Sequence, residues 1–184
     1  MIEITERMNI CVFCSANAQI DPDFFRAAEK LGRWMAKKGH TMVYGGVNQG
    51  IMECIGRAVH EAGGRTIGVI PTVVEKTGRR SDYVDIDIMC DNLTDRKQLM
   101  MDQGDVFVAL PGGIGTLDEV FTVAASATIG YHGKSVILYD IKDFWRPLID
   151  MLDSLQQRGM IRGHWQDYIK TANSLEELTA LLDP

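Results

Sequence analysis

Two glycine-rich segments of the chain have the composition of an anion-binding turn. Each leads from a short apolar run through glycines into a helical pattern, over 44–50 as Tyr-Gly-Gly-Val-Asn-Gln-Gly and over 111–116 as Pro-Gly-Gly-Ile-Gly-Thr. In an open parallel sheet such turns lie at the carboxyl ends of the strands, where a helix N-terminus offers free N–H groups to an anion. Glycines also serve packing alone, but two such turns favour a phosphate site. Neither segment matches the NTPase P-loop or the dinucleotide pattern G-x-G-x-x-G, which argues against an NTPase and a dehydrogenase.

Glu119 and Arg96 are the charged residues that could act on a ligand bound there. Glu119 follows Thr116 by three positions, which is the spacing of a helix capping box, so a structural role is one interpretation. The other is that Glu119 stands beside the glycine turn and contacts a sugar or an attacking water. Arg96 and Lys97 lie near a predicted helix start, against the helix dipole, with no acid three or four residues away on that helix. They therefore indicate an anionic ligand or a partner acid such as Glu119, with a solvated surface arginine as the alternative.

The cysteines and histidines do not indicate a metal or redox centre. Cys11 and Cys14 form a C-x-x-C, but they lie in a strand-like apolar run, where residues three apart point to opposite faces. Cys54 and Cys90 stand alone, and the four histidines lack metal-ligand spacing. We expect small buried thiols, no metal, and no organic cofactor, since no lysine stands out as a Schiff-base residue.

Apolar runs alternate with helical patterns along the chain, and no linker or break in composition divides it. This alternation predicts right-handed crossovers and a parallel sheet covered on both faces. The expected fold is an α/β, Rossmann-like doubly wound parallel sheet in a single domain over 1–184. The predicted strands are 9–14, 41–44, 65–70, 84–90, 105–110 and 135–140, with a short apolar stretch near 168–170. The predicted helices are 23–38, 50–62, 93–102, 116–131, 144–158 and 174–182.

The predicted helix over 116–131 has no charge between Val120 and Gly130. A helix that is apolar on all sides must be buried on more than one side. Its small residues, Ala124 to Ala127, would allow close packing against another helix. Burial within one chain is one explanation, and a two-fold dimer interface is the preferred one.

Composition narrows the classes of partner. The 184 residues include 19 Lys and Arg against 25 Asp and Glu, a formal charge of −6, which argues against a nucleic-acid polymer as the partner. A single nucleotide needs only a few local cations and N–H groups, so it stays compatible with this charge. No apolar run approaches the ~20 residues that span a bilayer, and residues 1–7 lack the apolar segment of a signal peptide. We therefore expect a cytoplasmic protein that does not engage a membrane.

The second glycine segment also carries a family resemblance. Residues 111–119, Pro-Gly-Gly-Ile-Gly-Thr-Leu-Asp-Glu, match P-G-G-x-G-T-x-x-E, the signature of the LONELY GUY family of cytokinin riboside 5′-monophosphate phosphoribohydrolases, often labelled possible lysine decarboxylases. The segments 44–52, 68–71 and 95–100 are similar to that family's Y-G-G-G-x-x-G-L-M, G-V-I-P and E-R-K-x-x-M. The resemblance extends over almost the whole chain.

The resemblance implies a set of site residues and a dimer with the active site near its interface. The implied catalytic pair is Arg96 and Glu119. The implied phosphate- and ribose-binding residues are Gly45, Gly46, Gly112, Gly113, Gly115 and Thr116. The implied base-pocket residues are Ser15, Lys97 and Met100. The chain departs from the family pattern at Val47, Ala16 and Leu93, positions that touch the nucleotide pocket and spare the catalytic pair.

The activity that the resemblance implies is hydrolysis of the N-glycosidic bond of a purine riboside 5′-monophosphate. The products would be the free base and ribose 5-phosphate, as in an AMP nucleosidase, without metal or organic cofactor. The alternative is a non-catalytic carrier of a nucleotide or a pterin cofactor on the same fold. A redox enzyme is a third interpretation, disfavoured by the missing dinucleotide pattern.

Overall fold

Seven parallel strands form one sheet in the computed structural model, which describes residues 6–183. The prediction for residues 1–7 therefore falls mostly outside the described part of the chain. The strands are β1 Asn9–Phe13, β2 Thr41–Tyr44, β3 Arg65–Pro71, β4 Ile86–Cys90, β5 Val106–Ala109, β6 Val136–Tyr139 and β7 Ile169–Ala172. Their order across the sheet is β4-β3-β2-β1-β5-β6-β7. The predicted Rossmann-like doubly wound fold is confirmed.

Helices connect the strands and cover both faces of the sheet. They are α1 Pro22–Lys38, α2 Gly50–Glu61, α3 Thr72–Lys76, α4 Leu93–Gln103, α5 Ile114–Thr128, α6 Arg146–Gln157 and α7 Leu175–Leu182. The sequence did not predict α3, a single short turn. The last strand, β7, lies where only an apolar stretch was expected.

The core consists of two apolar clusters, one on each face of the sheet. Alternation along β1 sends Ile10 and Val12 to one cluster and Cys11 and Phe13 to the other. Cys14 returns to the first cluster, so the two thiols of the C-x-x-C lie on opposite faces, as predicted. Cys90 is also buried, whereas Cys54 is only half-buried, and all four thiols are free.

The sheet changes winding direction between β1 and β5. Successive strands from β1 to β4 extend one way, and the chain then returns to place β5 beside β1, with Phe13 paired to Ala109. The carboxyl ends of these two strands meet at the sheet's switch point, where open α/β sheets bind ligands. Both of the segments that leave this point, residues 14–17 and 110–116, carry residues singled out from the sequence.

Among residues 6–183, no helix is both long and apolar enough to cross a membrane. Nor do those residues include a cluster of three or more His, Cys, Asp or Glu that could hold a metal ion.

Candidate active site

A cleft of about 230 Å³ opens at the switch point, between the segment after β1 and the second glycine segment. The two segments are joined by a hydrogen bond from the Ser15 amide to the Pro111 carbonyl, 3.1 Å long. The cleft is lined by Ser15, Asn17, Ile20, Phe24, Pro111, Gly112, Gly113 and Phe144. Ser15 therefore lies at the predicted end of the sheet, beside the glycines expected to bind phosphate.

The N-terminus of α5 faces this edge without a side-chain cap. Gly113 is the N-cap residue and the helix begins at Ile114, two residues before Thr116, so the capping-box interpretation of Thr116 and Glu119 is wrong. Gly113 and Gly115 are exposed, with open space where a Cβ would stand. The first-turn N–H groups of an α-helix have no intrahelical acceptor. The α5 N-terminus thus has the geometry of an anion site.

Thr116 is held inside this turn by the lack of a side chain at Gly112. Thr116 is only 4% exposed, and a Cβ added to Gly112 would overlap its hydroxyl. Any larger residue at 112 would push the threonine out of the turn.

The first glycine segment has a different geometry. At the start of α2, the amides of Ile51 and Met52 donate to the Ser15 carbonyl, over 2.9 and 3.4 Å. These N–H groups are therefore already partnered. Gly46 has a left-handed backbone, with φ of 64°. A Cβ on Gly45 would overlap Nη2 of Arg96, so this glycine makes room for the arginine.

Arg96 and Glu119 face each other across the gap between α4 and α5. Arg96 Nη1 lies 3.8 Å from Glu119 Oε1, and the two side chains are 14% and 8% exposed. Arg96 Nε donates to the carbonyl of Val69 in β3, over 3.3 Å. Within the described chain, Nη2 of Arg96 is buried without a hydrogen-bond partner. A buried donor left unpaired is costly, so the site has capacity for a further acceptor.

Burial strongly perturbs Glu119. Desolvation raises the pKa of its carboxyl from an ordinary value near 4.5 to about 7, and the nearby Arg96 guanidinium lowers it in part. Asp118 raises this pKa further, and Lys97 lowers it. A buried carboxyl whose pKa is raised toward neutral, opposite an arginine with an unpaired donor, is typical of acid–base or electrostatic catalysis.

Lys97 forms a second cross-helix pair next to the first. Its Nζ donates to both carboxylate oxygens of Asp118, over 2.9 and 2.8 Å. The partner acids that the sequence anticipated for Arg96 and Lys97 are therefore both supplied by α5. Asp118 was missed as a functional candidate, although its position beside Glu119 was the available signal.

Met100 does not fit its implied place in the base pocket. It is 1% exposed and belongs to the apolar cluster beneath α4, where a ligand has no access to it. Helix α4 runs away from the ligand edge, so Met100, one turn beyond Arg96, lies deeper against the sheet.

The predicted burial of α5 on more than one side is not met within one chain. Val120, Val123 and Ala124 pack on the sheet, whereas Phe121 and Ala125 are exposed on the opposite face. Other large apolar side chains on or near α5 are also exposed: Ile114 is 88% exposed, Ile129 66% and Tyr131 80%, and Leu93 at the start of α4 is 63% exposed.

Comparisons with known proteins show which family the chain resembles. The family model described as possible lysine decarboxylase matches residues 52–182. The chain is 33% identical over 174 residues to the probable cytokinin riboside 5′-monophosphate phosphoribohydrolase LOGL2 of Oryza sativa subsp. japonica, covering 95% of this chain and 71% of the relative. It is also 33% identical over 175 residues to the cytokinin riboside 5′-monophosphate phosphoribohydrolase LOG5 of Arabidopsis thaliana, covering 95% and 76%.

Solved structures of proteins named for binding or carrying the molybdenum cofactor share the fold of this chain. The molybdenum cofactor binding protein of the phototrophic bacterium Rippkaea orientalis is 25% identical, with a TM-score of 0.70 over 96% of each chain. The Moco carrier protein of Chlamydomonas reinhardtii is 26% identical, with a TM-score of 0.69 over 96% of each chain.

Proposed function

Because the chain belongs to the LONELY GUY (LOG) family, we propose that it hydrolyses the N-glycosidic bond of purine riboside 5′-monophosphates. The products are the free base and ribose 5-phosphate. The observation that carries this proposal is the buried Arg96–Glu119 pair, which stands next to the uncapped N-terminus of α5.

The 5′-phosphate binds at the start of α5 in this proposal. The exposed Gly113 and Gly115 offer a close approach to the backbone, and the N–H groups of the first turn donate to phosphate oxygens. Ser15 lies across the cleft from these glycines. Gly45 contributes by making room for Arg96, and Gly46 contributes the left-handed turn of the adjoining loop. Binding the phosphate away from the scissile bond positions the sugar for reaction.

Glu119 then acts on the ribose. The bond from C1′ to the base nitrogen breaks, the electron pair leaves with the base, and positive charge develops on the sugar ring. The Glu119 carboxylate stabilises that charge and orients the water whose oxygen bonds to C1′. One proton of this water is transferred to the departing base. Arg96 holds Glu119 through their ion pair.

The test is product identification. Purified protein is incubated with AMP and, separately, with the N6-prenylated nucleotide, and the released base is separated by chromatography. The proposal expects adenine or prenylated adenine with stoichiometric ribose 5-phosphate, and the ratio of the two rates identifies the preferred base. Intact nucleotide after prolonged incubation with folded protein, in both reactions, would contradict it.

A carrier of a pterin-type cofactor is the second candidate, favoured by the likeness to the two molybdenum cofactor proteins. Binding without turnover distinguishes it: a carrier holds its ligand and leaves AMP intact. The buried carboxyl of Glu119 beside Arg96 supports hydrolysis instead, because a site that only binds an anionic ligand gains nothing from an acid within it.

We also propose that the exposed face of α5 forms a two-fold dimer interface with a second copy of the chain. An uncovered apolar helix face that continues through Ile129 and Tyr131 is typical of an interface. Ala124 is 6% exposed and packs on the sheet, so of the small residues noted in the sequence Ala125 is the one to change.

Ala125→Arg should convert the dimer to monomer, because an arginine on a self-facing surface meets its own copy. Sedimentation velocity at micromolar concentration measures the change, and AMP hydrolysis should fall with it. Ala180→Arg, on the exposed side of α7, is the matched control and should leave the association unchanged. A wild-type protein that sediments as a monomer contradicts the interface.

A further inference from the structure

Two ion pairs join α4 to α5 in the described chain, and their residues are consecutive on both helices. Arg96 faces Glu119 at 3.8 Å, beyond hydrogen-bond distance, whereas Lys97 donates to both oxygens of Asp118 within 2.9 Å. The short contact therefore belongs to the pair beside the proposed catalytic pair. Lys97 is the more buried partner, with 23% of its side chain exposed against 53% for Asp118.

Arg96 itself has little else to fix it. Its one side-chain hydrogen bond in the described structure is the 3.3 Å contact from Nε to the Val69 carbonyl, and its Nη2 has no partner. A small rotation of α4 about its axis would move the guanidinium away from Glu119. The neighbouring Lys97–Asp118 contact opposes that rotation, since it ties the same turn of α4 to the same turn of α5.

We propose that Lys97 and Asp118 are positioning residues for the reaction, which hold Arg96 opposite Glu119 and balance the charge around it. The effect on kcat in this inference rests on the proposed function. The proposal also replaces the base-pocket role implied for Lys97, because its ammonium already donates to both oxygens of the Asp118 carboxylate.

The charges around Glu119 give the proposal a measurable signature. Glu119 is faced by Arg96 and Lys97 from α4, by Asp118 on its own helix, and by the thiols of Cys11 and Cys14 in and just after β1. Lys97 lowers the pKa of Glu119 and Asp118 raises it. Removing one member of the pair should thus shift the titration of Glu119 in one direction, and removing the other should shift it in the opposite direction.

The experiment compares Lys97→Met, Asp118→Asn and the double variant by two readouts. The first is the carboxyl carbon resonance of Glu119 in isotope-labelled protein, titrated with pH. Its midpoint should rise in Lys97→Met, fall in Asp118→Asn and return toward the wild-type midpoint in the double variant. The second is kcat for AMP hydrolysis, which should fall about tenfold in each single variant and stay low in the double variant, because the cross-helix ion pair is lost in all three.

Two further variants complete the design. Lys97→Arg keeps a cation that reaches Asp118 and should retain most of kcat. Asp150→Asn removes a carboxylate from the 2.9 Å pair with Arg146 on α6 and should leave both readouts unchanged. Circular dichroism establishes that each variant is folded.

Midpoints that move in the same direction, or not at all, would overturn the electrostatic part of the proposal. A wild-type kcat in both single variants would overturn the positioning part. The resonance titration needs no turnover, so it separates these failures from failure of the proposed hydrolase activity, which appears as absence of base release by the wild-type protein.

Discussion

Glu119→Gln is expected to abolish most of the turnover and, at alkaline pH, to make the protein more stable. Glutamine has nearly the shape of a protonated glutamic acid but cannot carry the charge that a positively charged ribose requires. We expect kcat for base release to fall by about a hundredfold or more. Arg96→Ala should lose activity similarly, and the double variant should lose little beyond either single one if the two residues act as a unit.

The stability effect follows from the raised pKa of Glu119. In the folded protein this pKa is about 7, against about 4.5 for the unfolded chain, so folding favours the protonated form. The stability that Glu119 contributes is fully present below the unfolded pKa and is lost as pH rises through the folded pKa. A shift of this size corresponds to about 3 kcal/mol. Glutamine does not ionise, so the variant should be more stable than wild type by about that amount at pH 8, and by about 1 kcal/mol or less at pH 5.

Denaturant unfolding at the two pH values measures this difference. Glu61→Gln, at a side chain that is 59% exposed, is the matched control and should change neither activity nor the pH dependence of stability. A Glu119→Gln protein that hydrolyses AMP at the wild-type rate would remove Glu119 from the mechanism.

The same titration should govern the pH dependence of the wild-type reaction. If the carboxylate is the active form, kcat at saturating nucleotide rises with pH through the titration of Glu119. The second ionisation of the substrate phosphate lies near pH 6 and enters kcat/KM as well, so kcat is the cleaner measurement. In Glu119→Gln this rise should be absent from whatever activity remains.

Much of this site could be predicted because its position follows from chain order. Alternating strands and helices fix a parallel sheet, and a parallel sheet gathers its βα turns at one edge. Arg96 lies in the first turns of α4, and Glu119 lies in the first turns of α5. Their N-terminal positions on those helices therefore bring them to the same edge, whatever the details of packing.

The predictions that were wrong concern where a helix starts and which way its residues face, whereas helices α4 and α5 themselves were predicted. A threonine followed by a glutamate three residues later looks like a helix start, but the glycine before Ile114 starts α5 earlier and leaves its N-terminus uncapped. Met100 lies one turn beyond Arg96 on α4, and that one turn moves it from the edge into the core. Ala124 and Ala125 likewise differ by one position, yet Ala124 is buried against the sheet and Ala125 is exposed.

The Lys97–Asp118 pair lay outside what local patterns can predict. The two residues are 21 positions apart, and the contact depends on the rotation of two helices about their axes. Spacing rules on one helix identified Lys97 as unpaired there but could not name its partner.

The uncapped start of α5 leads to the second large effect, a strict requirement for the 5′-phosphate. Each charge-assisted hydrogen bond to a phosphate oxygen contributes roughly 1.5–3 kcal/mol, so two such bonds at the first turn make AMP better than adenosine by about 10²–10⁴ in kcat/KM. Gly115→Asp tests the location. Open space surrounds Gly115, and a carboxylate in the first turn suits the helix dipole, so the variant should fold and keep its melting temperature.

The introduced carboxylate should repel the phosphate and raise KM for AMP, while the slow hydrolysis of adenosine, which carries no phosphate, stays as it was. Gly133→Asp is the matched control, because Gly133 also has open space at its Cβ position and lies outside both glycine segments. Equal kcat/KM for adenosine and AMP in the wild-type protein would contradict a phosphate site anywhere on the chain. A Gly115→Asp protein with unchanged KM for AMP would instead move that site away from α5, because a carboxylate among the same N–H groups cannot coexist with a bound phosphate without cost.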